Sequence, residues 1–110
     1  MGDPRVQSIA LSGALDLATE RRLRADVSQA AGDPSRGLVI DLRGVTFMES
    51  STLAVLVHAD RQFRRQGRVL ACVVRQGPVE RLLDVSGLRQ TLAVFETPEE
   101  AAAHVVRTNV

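Results

Sequence analysis

Two apolar stretches, each about the length of a β-strand, constrain the fold of this chain more than any other feature. They read GLVIDLRGV at residues 37–45 and GRVLACVV at residues 67–74, and both are almost continuously apolar. A strand with apolar residues on both faces must be covered on both faces, as in a parallel sheet flanked by helices. Segments with the apolar spacing of an amphipathic helix lie before, between and after these stretches. The pattern therefore predicts an α/β domain.

Local sequence signals place the ends of several helices. Thr19 is a candidate N-cap for a first helix, TERRLRADVSQAA. The stretch PVERLLDVSGL has Pro78 at the first helical position and Gly87 where a left-handed C-cap is expected. Thr97 and Glu100 have the spacing of a capping box, which predicts the start of a last, short helix.

The N-terminal stretch RVQSIALSGALD alternates loosely between apolar and polar residues. It predicts a strand pair with a tight turn or a bulge between Ile9 and Leu15. With the two central strands and the short strand LAVFET, we expect a mixed, mostly parallel sheet of four to five strands. About four helices should pack mainly on one face of it. The 110 residues fit a single domain, residues 1–110.

Charge and cysteine content exclude several classes of function. The net charge is +1, with 14 basic residues scattered among 13 acidic ones, which predicts no binding to nucleic acid. The single cysteine, Cys72, lies in an apolar strand, so we expect a buried thiol. No segment approaches the roughly 18 apolar residues of a membrane span, and MGDPRVQ lacks the apolar core of a signal peptide. These features predict no membrane insertion and a cytoplasmic location.

The stretch FMESSTLAVL, residues 47–56, places three hydroxyl side chains at the start of a second helix. Helical spacing predicts a buried stripe along this helix that contains Asp60. We expect Asp60 either to pair with Arg64 one turn further on or to lie at the rim of the stripe. Ser51 falls on the opposite, outer face. The same spacing predicts His58, Gln62 and Arg65 in line with Ser51 on that outer face, with Ala54 and Val55 beside it.

Two interpretations of the paired serines are open at this point. Ser50 or Ser51 could cap the helix by accepting a hydrogen bond from a free backbone N–H, an interaction of about 1 kcal/mol. Alternatively, Ser51 could be a phosphorylation site, because the helix dipole and the free N–H groups tolerate a phosphate at a helix N-terminus. Glu49 suits either interpretation, since a negative charge is favourable at this end of a helix.

A catalytic function is not predicted. His58 lies two turns along the helix from Ser51, about 10 Å away, and therefore cannot activate that hydroxyl as a base. His104 is expected to be a packing or solvated histidine in the last helix. The two histidines have no partners at metal-ligand spacing, so we predict no catalytic residue, no metal site and no cofactor.

Taken together, several motifs give the chain a resemblance to one family. In order, these are SGALDLAT, LVIDLRGVTFMESSTLAVL, GRVLACVV, PVERLLDVSGL and VFETPEEA. Their sequence and order resemble the STAS domain of bacterial anti-sigma factor antagonists over nearly the whole chain. In that family the strand-to-helix junction reads Asp-Ser-Ser-Gly-Leu or a close variant, and here it reads Glu-Ser-Ser-Thr-Leu.

The resemblance implies a partner switch. In its unphosphorylated form such a domain binds an anti-sigma factor that is also a serine kinase, and a sigma factor is released. The kinase phosphorylates the second serine of the motif, the complex dissociates, and a phosphatase resets the antagonist. By position, Ser51 is the implied phosphoacceptor, with Ser50 as the second choice. The implied partner-binding residues are Asp16, Glu49, Ser50, Thr52, Val55, His58 and Gln62.

Two departures from the family motif keep a second function open. Glu49 replaces the usual Asp, and Thr52 replaces the usual Gly, where a β-branched side chain is expected to hinder close approach of a partner backbone. STAS-like domains also serve as non-switching scaffolds in lipid-transport ABC complexes or stress-sensing assemblies. In such a scaffold the same helix face would dock a partner permanently.

Overall fold

The computed structural model describes residues 5–33 and 35–108. Within these ranges the chain forms four strands, four α-helices and one short 3₁₀-helix. Strands and helices alternate along the chain, which confirms the predicted α/β class. In chain order the elements are β1 (Val6–Leu15), α1 (Leu17–Ala31), β2 (Gly37–Met48), α2 (Ser50–Arg65), β3 (Val69–Val73), α3 (Pro78–Ser86), the 3₁₀-helix (Leu88–Gln90), β4 (Ala93–Phe95) and α4 (Pro98–Arg107).

The four described strands form one sheet in the order β1-β2-β3-β4, and all three pairings are parallel. The prediction of a mostly parallel sheet with at least four strands is therefore confirmed, but its mixed character is wrong, because no pairing among the described strands is antiparallel. The predicted N-terminal strand pair is wrong, because residues 6–15 form the single strand β1. The bulge alternative is confirmed: the register with β2 shifts between Ala10 and Ser12 and again between Gly13 and Ala14. Gly13 has a φ of 75°, a conformation that suits glycine at such an irregularity.

Both faces of the central strands are buried, as their composition predicts. On one face Leu38, Ile40 and Leu42 of β2 belong to the main core cluster, together with apolar residues of α1, α2 and α3. On the other face Val39 of β2 packs with β3 and with Val105 of α4 in a smaller cluster. Three of the described helices thus cover one face and α4 covers the other. No helix in the described ranges has the length and apolarity needed to cross a membrane.

The helix ends follow the local signals in two of the three predicted cases. Pro78 begins α3 and Gly87 ends it with a φ of 76°. Thr97 caps α4 by accepting a hydrogen bond from the N–H of Glu100 at 3.2 Å. The predicted cap at Thr19 is wrong, because α1 begins three residues earlier and its N-cap is Asp16.

Buried polar groups on α2 and β3 lie where the sequence places them. Asp60 is buried and its carboxylate pairs with the guanidinium of Arg64 at 3.0 Å, as predicted. Burial raises the pKa of Asp60 despite the nearby Arg64 charge. Cys72 is a free, fully buried thiol, as expected, and burial raises its pKa to about 12.

Arg68, just before β3, contacts both the C-terminal end of α1 and the end of α2. Its guanidinium donates hydrogen bonds to the carbonyls of Ala30 at 2.9 Å and Ala31 at 2.7 Å. The same group lies 4.6 Å above the centre of the Phe63 ring of α2. These contacts satisfy carbonyls that a helix C-terminus leaves free. They hold α1 alongside α2.

Substitution of Gly87 should destabilise the domain. Its left-handed φ costs a residue with a Cβ about 1–2 kcal/mol, and more for a β-branched side chain, so Gly87→Val should lower the free energy of unfolding by at least that amount. Gly32, which follows α1 with a φ of −82°, offers a matched control. Gly32→Ala should leave stability unchanged or slightly raised. Chemical denaturation measures both, and an unaltered midpoint for Gly87→Val would contradict the assigned strain.

Candidate functional site

The candidate site lies at the carboxyl end of the sheet, where β1 and β2 finish side by side. Leu15 of β1 pairs with Met48 of β2. The next residue on each strand is an exposed acid, Asp16 or Glu49, and each is the N-cap of the following helix. The N-termini of α1 and α2 therefore open onto the same edge of the sheet.

Ser50 and Ser51 occupy the first two positions of α2, and neither caps it. The N-cap is Glu49, whose side chain makes no capping hydrogen bond. The N–H groups of Thr52 and Leu53 instead turn back to the Glu49 carbonyl, at 3.0 and 3.4 Å. The capping interpretation of the serines is therefore wrong, because the helix begins one residue too early for them.

Ser51 is exposed, as predicted, and its hydroxyl contacts a residue of α1. Its Oγ donates a hydrogen bond to Oε2 of Glu20 at 3.3 Å. Glu20 is only 8% exposed, and its Oε1 accepts a hydrogen bond from Arg24 at 3.3 Å. The sequence shows the Glu20 and Arg24 spacing of four residues, which is typical of a helix ion pair. It gives no signal for the contact with Ser51, which depends on how α1 packs against α2.

Thr52 and Val55 are buried, so the partner-binding role that the resemblance implies for both is wrong, as is the predicted place of Val55 on the outer surface. Thr52 is 1% exposed and Val55 is 4% exposed. Val55 belongs to the same core cluster as Leu23 and Val27 of α1, so α1 covers the flank of α2 that the sequence left open. A single buried stripe underestimates the buried surface of a helix that packs on both a sheet and a neighbouring helix. Neither side chain is available to a partner.

The Thr52 hydroxyl has no hydrogen-bond partner in the described structure. Its Oγ1 is buried, so it receives no compensating bond from bulk water. An unpaired buried hydroxyl destabilises a protein by about 1–3 kcal/mol. Thr52 therefore affects the stability of this region, and its side chain adds nothing to the accessible surface.

His58 and Gln62 remain on the accessible side of α2, farther along the helix. His58 is exposed and Gln62 is half-buried. With Arg24 and Ser28 of α1 they border a shallow groove of about 180 Å³ between the two helices. His104, by contrast, packs against Phe95 with 5.0 Å between ring centres, which confirms its predicted packing role.

Two exposed apolar side chains lie within two residues of the N-caps Asp16 and Glu49, and the sequence pattern gives no signal for their exposure. Leu17, the first residue of α1, is 64% exposed, and Phe47, near the end of β2, is 54% exposed. Phe47 pairs with Ala14 of β1, one position before the Leu15 pair. Exposed apolar side chains mark interaction surfaces where they form a contiguous patch. Helical or strand periodicity could not single them out, because both lie at element ends.

Three carboxyl groups lie near the N-termini of α1 and α2. Hydrogen bonds from the Thr19 backbone N–H and hydroxyl hold the pKa of Asp16 below its usual value, so this carboxylate is ionised at neutral pH. Glu49 and Glu20 bring two more carboxyl groups to the same edge. Arg24 contacts the carboxylate of Glu20 directly. An added phosphate would therefore enter an acidic environment.

Comparison with known proteins identifies the family. A family model described as STAS domain matches residues 2–101. An anti-sigma F factor antagonist from Paenibacillus polymyxa is 30% identical over 94 residues, which cover 84% of this chain and 80% of that protein. The anti-sigma-F factor antagonist RsfA from Mycobacterium tuberculosis (strain CDC 1551 / Oshkosh) is 33% identical over 91 residues, which cover 81% of this chain and 71% of that protein.

Solved structures of SpoIIAA have the same fold. The unphosphorylated form of this anti-sigma factor antagonist superimposes with a TM-score of 0.79 at 23% identity and covers 100% of this chain and 95% of its own. The phosphorylated form of SpoIIAA, described as a Bacillus cell fate determinant, has a TM-score of 0.72 at 22% identity. That match covers 96% of this chain and 95% of its own.

Replacement of Thr52 by the isosteric Val should stabilise the domain. The change removes a buried hydroxyl without a partner and keeps the shape of the side chain, so the free energy of unfolding should rise by about 1 kcal/mol. Thr52→Ser is the matched control, because it keeps the hydroxyl and loses a methyl group worth about 1 kcal/mol of burial. Urea denaturation measures the free energy of unfolding of the wild type and the two variants. A Val variant less stable than the wild type would show that the hydroxyl is satisfied in solution.

Proposed function

This chain belongs to the STAS domain family and, within it, to the anti-sigma factor antagonists, and we propose that it acts by partner switching. In the unphosphorylated form it binds an anti-sigma factor that is also a serine kinase, and a sigma factor is released. The kinase then phosphorylates Ser51 and the complex dissociates. A phosphatase restores the binding form. The proposed site of action is the cytoplasm, where sigma factors join RNA polymerase.

The exposure of Ser51 at the N-terminus of α2 is the observation that carries this proposal. Its side chain lies at the second helical position, at the edge of the sheet, where a kinase could reach it. The side chain of Glu49 leaves the first N–H groups of α2 uncapped. These groups and the helix dipole favour a phosphate at this position. The existence of a phosphorylated form of SpoIIAA, which shares the fold, supports the same assignment.

The proposed binding surface combines apolar and acidic residues around Ser51. Leu17 and Phe47 supply exposed apolar area, while Asp16 and Glu49 supply charge. Ser50 is exposed beside them and is the second choice as phosphoacceptor. His58 and Gln62 extend the surface along α2. Thr52 and Val55 are left out of it because they are buried.

A phosphate at the centre of this surface is sufficient to switch binding. It adds a charge of about −1.5 to −2 to a surface that is already acidic, and the partner must desolvate that charge on binding. A hundredfold loss of affinity corresponds to about 2.7 kcal/mol, which one unpaired interfacial charge can supply. The overall fold need not change.

Phosphate transfer to Ser51 is the most direct test. The protein is incubated with ATP and a candidate anti-sigma factor kinase from the same genome, and intact mass and peptide mapping are measured. We expect one phosphate, located on Ser51, on the wild type and on Ser50→Ala, and none on Ser51→Ala. A stable complex without phosphate transfer would contradict the switch and favour the non-switching scaffold.

Ser51→Asp should weaken binding to the same partner while the fold stays intact. The carboxylate places a negative charge at the phosphorylation site, and it cannot donate a hydrogen bond to Glu20 as the serine does. We expect at least a tenfold loss of affinity, or about 1.4 kcal/mol, by calorimetric titration. Ser51→Asn is the uncharged control and should bind more tightly than the Asp variant. Equal affinities for the Asp variant and the wild type, with matching circular dichroism spectra, would contradict a charge-controlled surface.

A further inference from the structure

We propose that Glu20, Arg24 and Ser51 form a charge switch within the chain, in which phosphorylation releases Glu20 from Ser51 and transfers Arg24 to the phosphate. This inference rests on the proposed phosphorylation of Ser51 and names what regulates that site. Glu20 thereby acts as a positioning residue that holds the unphosphorylated hydroxyl. Arg24 is the residue that changes partner.

The unphosphorylated arrangement is a chain of two hydrogen bonds on one carboxylate. Ser51 Oγ donates to Oε2 of Glu20 at 3.3 Å, and Arg24 donates to Oε1 at 3.3 Å. The Glu20 side chain is only 10% exposed, so it depends on these two donors. The hydroxyl of Ser51 is therefore directed toward α1 and held there.

Phosphorylation removes one of the two donors. The γ-phosphorus of ATP forms a bond to Ser51 Oγ as its bond to the leaving ADP breaks, and the hydroxyl proton leaves to a base of the kinase. The oxygen that donated to Glu20 then carries a phosphate that only accepts hydrogen bonds in its dianionic form. Two anionic groups in contact repel each other strongly where one of them is shielded from water. The contact between Glu20 and residue 51 cannot persist.

Arg24 is placed to take up the phosphate. It lies one turn beyond Glu20 on α1, and its side chain is 57% exposed, so it has room to reorient. A guanidinium matches the oxygens of a phosphate better than a single carboxylate oxygen, because it can donate two parallel hydrogen bonds. The exchange replaces an ion pair within α1 by one between α1 and α2.

The switch changes the proposed binding surface at positions other than the phosphate itself. Glu20, released from its two donors, must move toward solvent near the N-terminus of α1. Arg24 also borders the groove that His58 and Gln62 line, so its movement alters that part of the proposed surface. The acidic edge therefore gains the phosphate charge and a newly accessible carboxylate together.

Phosphoserine incorporated at position 51 during translation provides a test that needs no kinase. The second pKa of the phosphate is measured by ³¹P NMR in the otherwise wild-type chain and in the Glu20→Gln, Arg24→Gln and Asp26→Asn backgrounds. Asp26→Asn is the matched control, since it removes one carboxylate from the opposite flank of α1, where Asp26 lines a groove with β1.

Asp16 and Glu49 are unchanged in every variant, so their charges contribute equally to each measured phosphate pKa. Circular dichroism checks the fold of each protein.

We expect the phosphate pKa to fall by about half a unit or more in Glu20→Gln, to rise by a similar amount in Arg24→Gln, and to stay constant in Asp26→Asn. Equal values in the first two variants and the wild type would overturn the inference. Should Glu20→Gln fail to fold, the Arg24→Gln result decides, because an arginine that stays paired with Glu20 lies farther from the phosphate, and its removal would raise the phosphate pKa by clearly less than half a unit. The proposed function has a separate test, since failure of the kinase to modify Ser51 would not alter these pKa values.

Discussion

The burial of β2 and β3 on both faces is the constraint on which the rest of the structure depends. Alternate residues of β2, such as Val39 and Ile40, enter two different core clusters, so helices must cover the sheet on both sides. Because the strands are parallel, each described α-helix begins near the carboxyl edge of the sheet and runs antiparallel to the strands. The N-termini of α1 and α2 therefore meet where β1 and β2 end. Ser51 lies at this edge because the buried strand β2 ends there and α2 begins two residues later.

The position of α1 along α2 is fixed at both ends, and the two attachments differ in kind. Arg68 binds the C-terminal carbonyls of α1 in a part of the structure remote from the serines along both helices. At the other end, Glu20 receives the Ser51 hydroxyl through one bond of 3.3 Å. In the switch proposed above, modification of Ser51 would replace its bond to Glu20 by an ion pair between Arg24 and the phosphate, and would leave the Arg68 attachment in place. A local change at the site is then compatible with an intact domain, as a reversible regulator requires.

Signals that act within a few residues were sufficient to predict several elements. Pro78, Gly87 and Thr97 mark helix ends because the reasons for their preference are local, a fixed φ, a left-handed φ and a side-chain cap. The cap of α1 was missed because Asp16 and Thr19 are both good capping residues, and only the structure shows that the earlier one is used. The burial of Thr52 and Val55 and the contact of Glu20 with Ser51 arise from helix-helix packing. No periodicity within one helix contains that information, so the fold was more predictable than the details of the site.

The burial of Thr52 changes which residue should control phosphorylation of the neighbouring serine. From the sequence, a β-branched residue in place of the family's glycine was expected to obstruct a partner, but a side chain that is 1% exposed cannot do so. Its effect is confined to stability through the unpaired hydroxyl. Glu49, although longer than the usual Asp, remains an exposed acid at the N-cap and keeps the charge at that position. The group that distinguishes Ser51 from a free surface serine is therefore Glu20, which accepts a hydrogen bond from its hydroxyl and, in the proposed switch, would repel a phosphate at that position. The ease of switching in this chain should depend on the α1 side of the site more than on the serine motif itself.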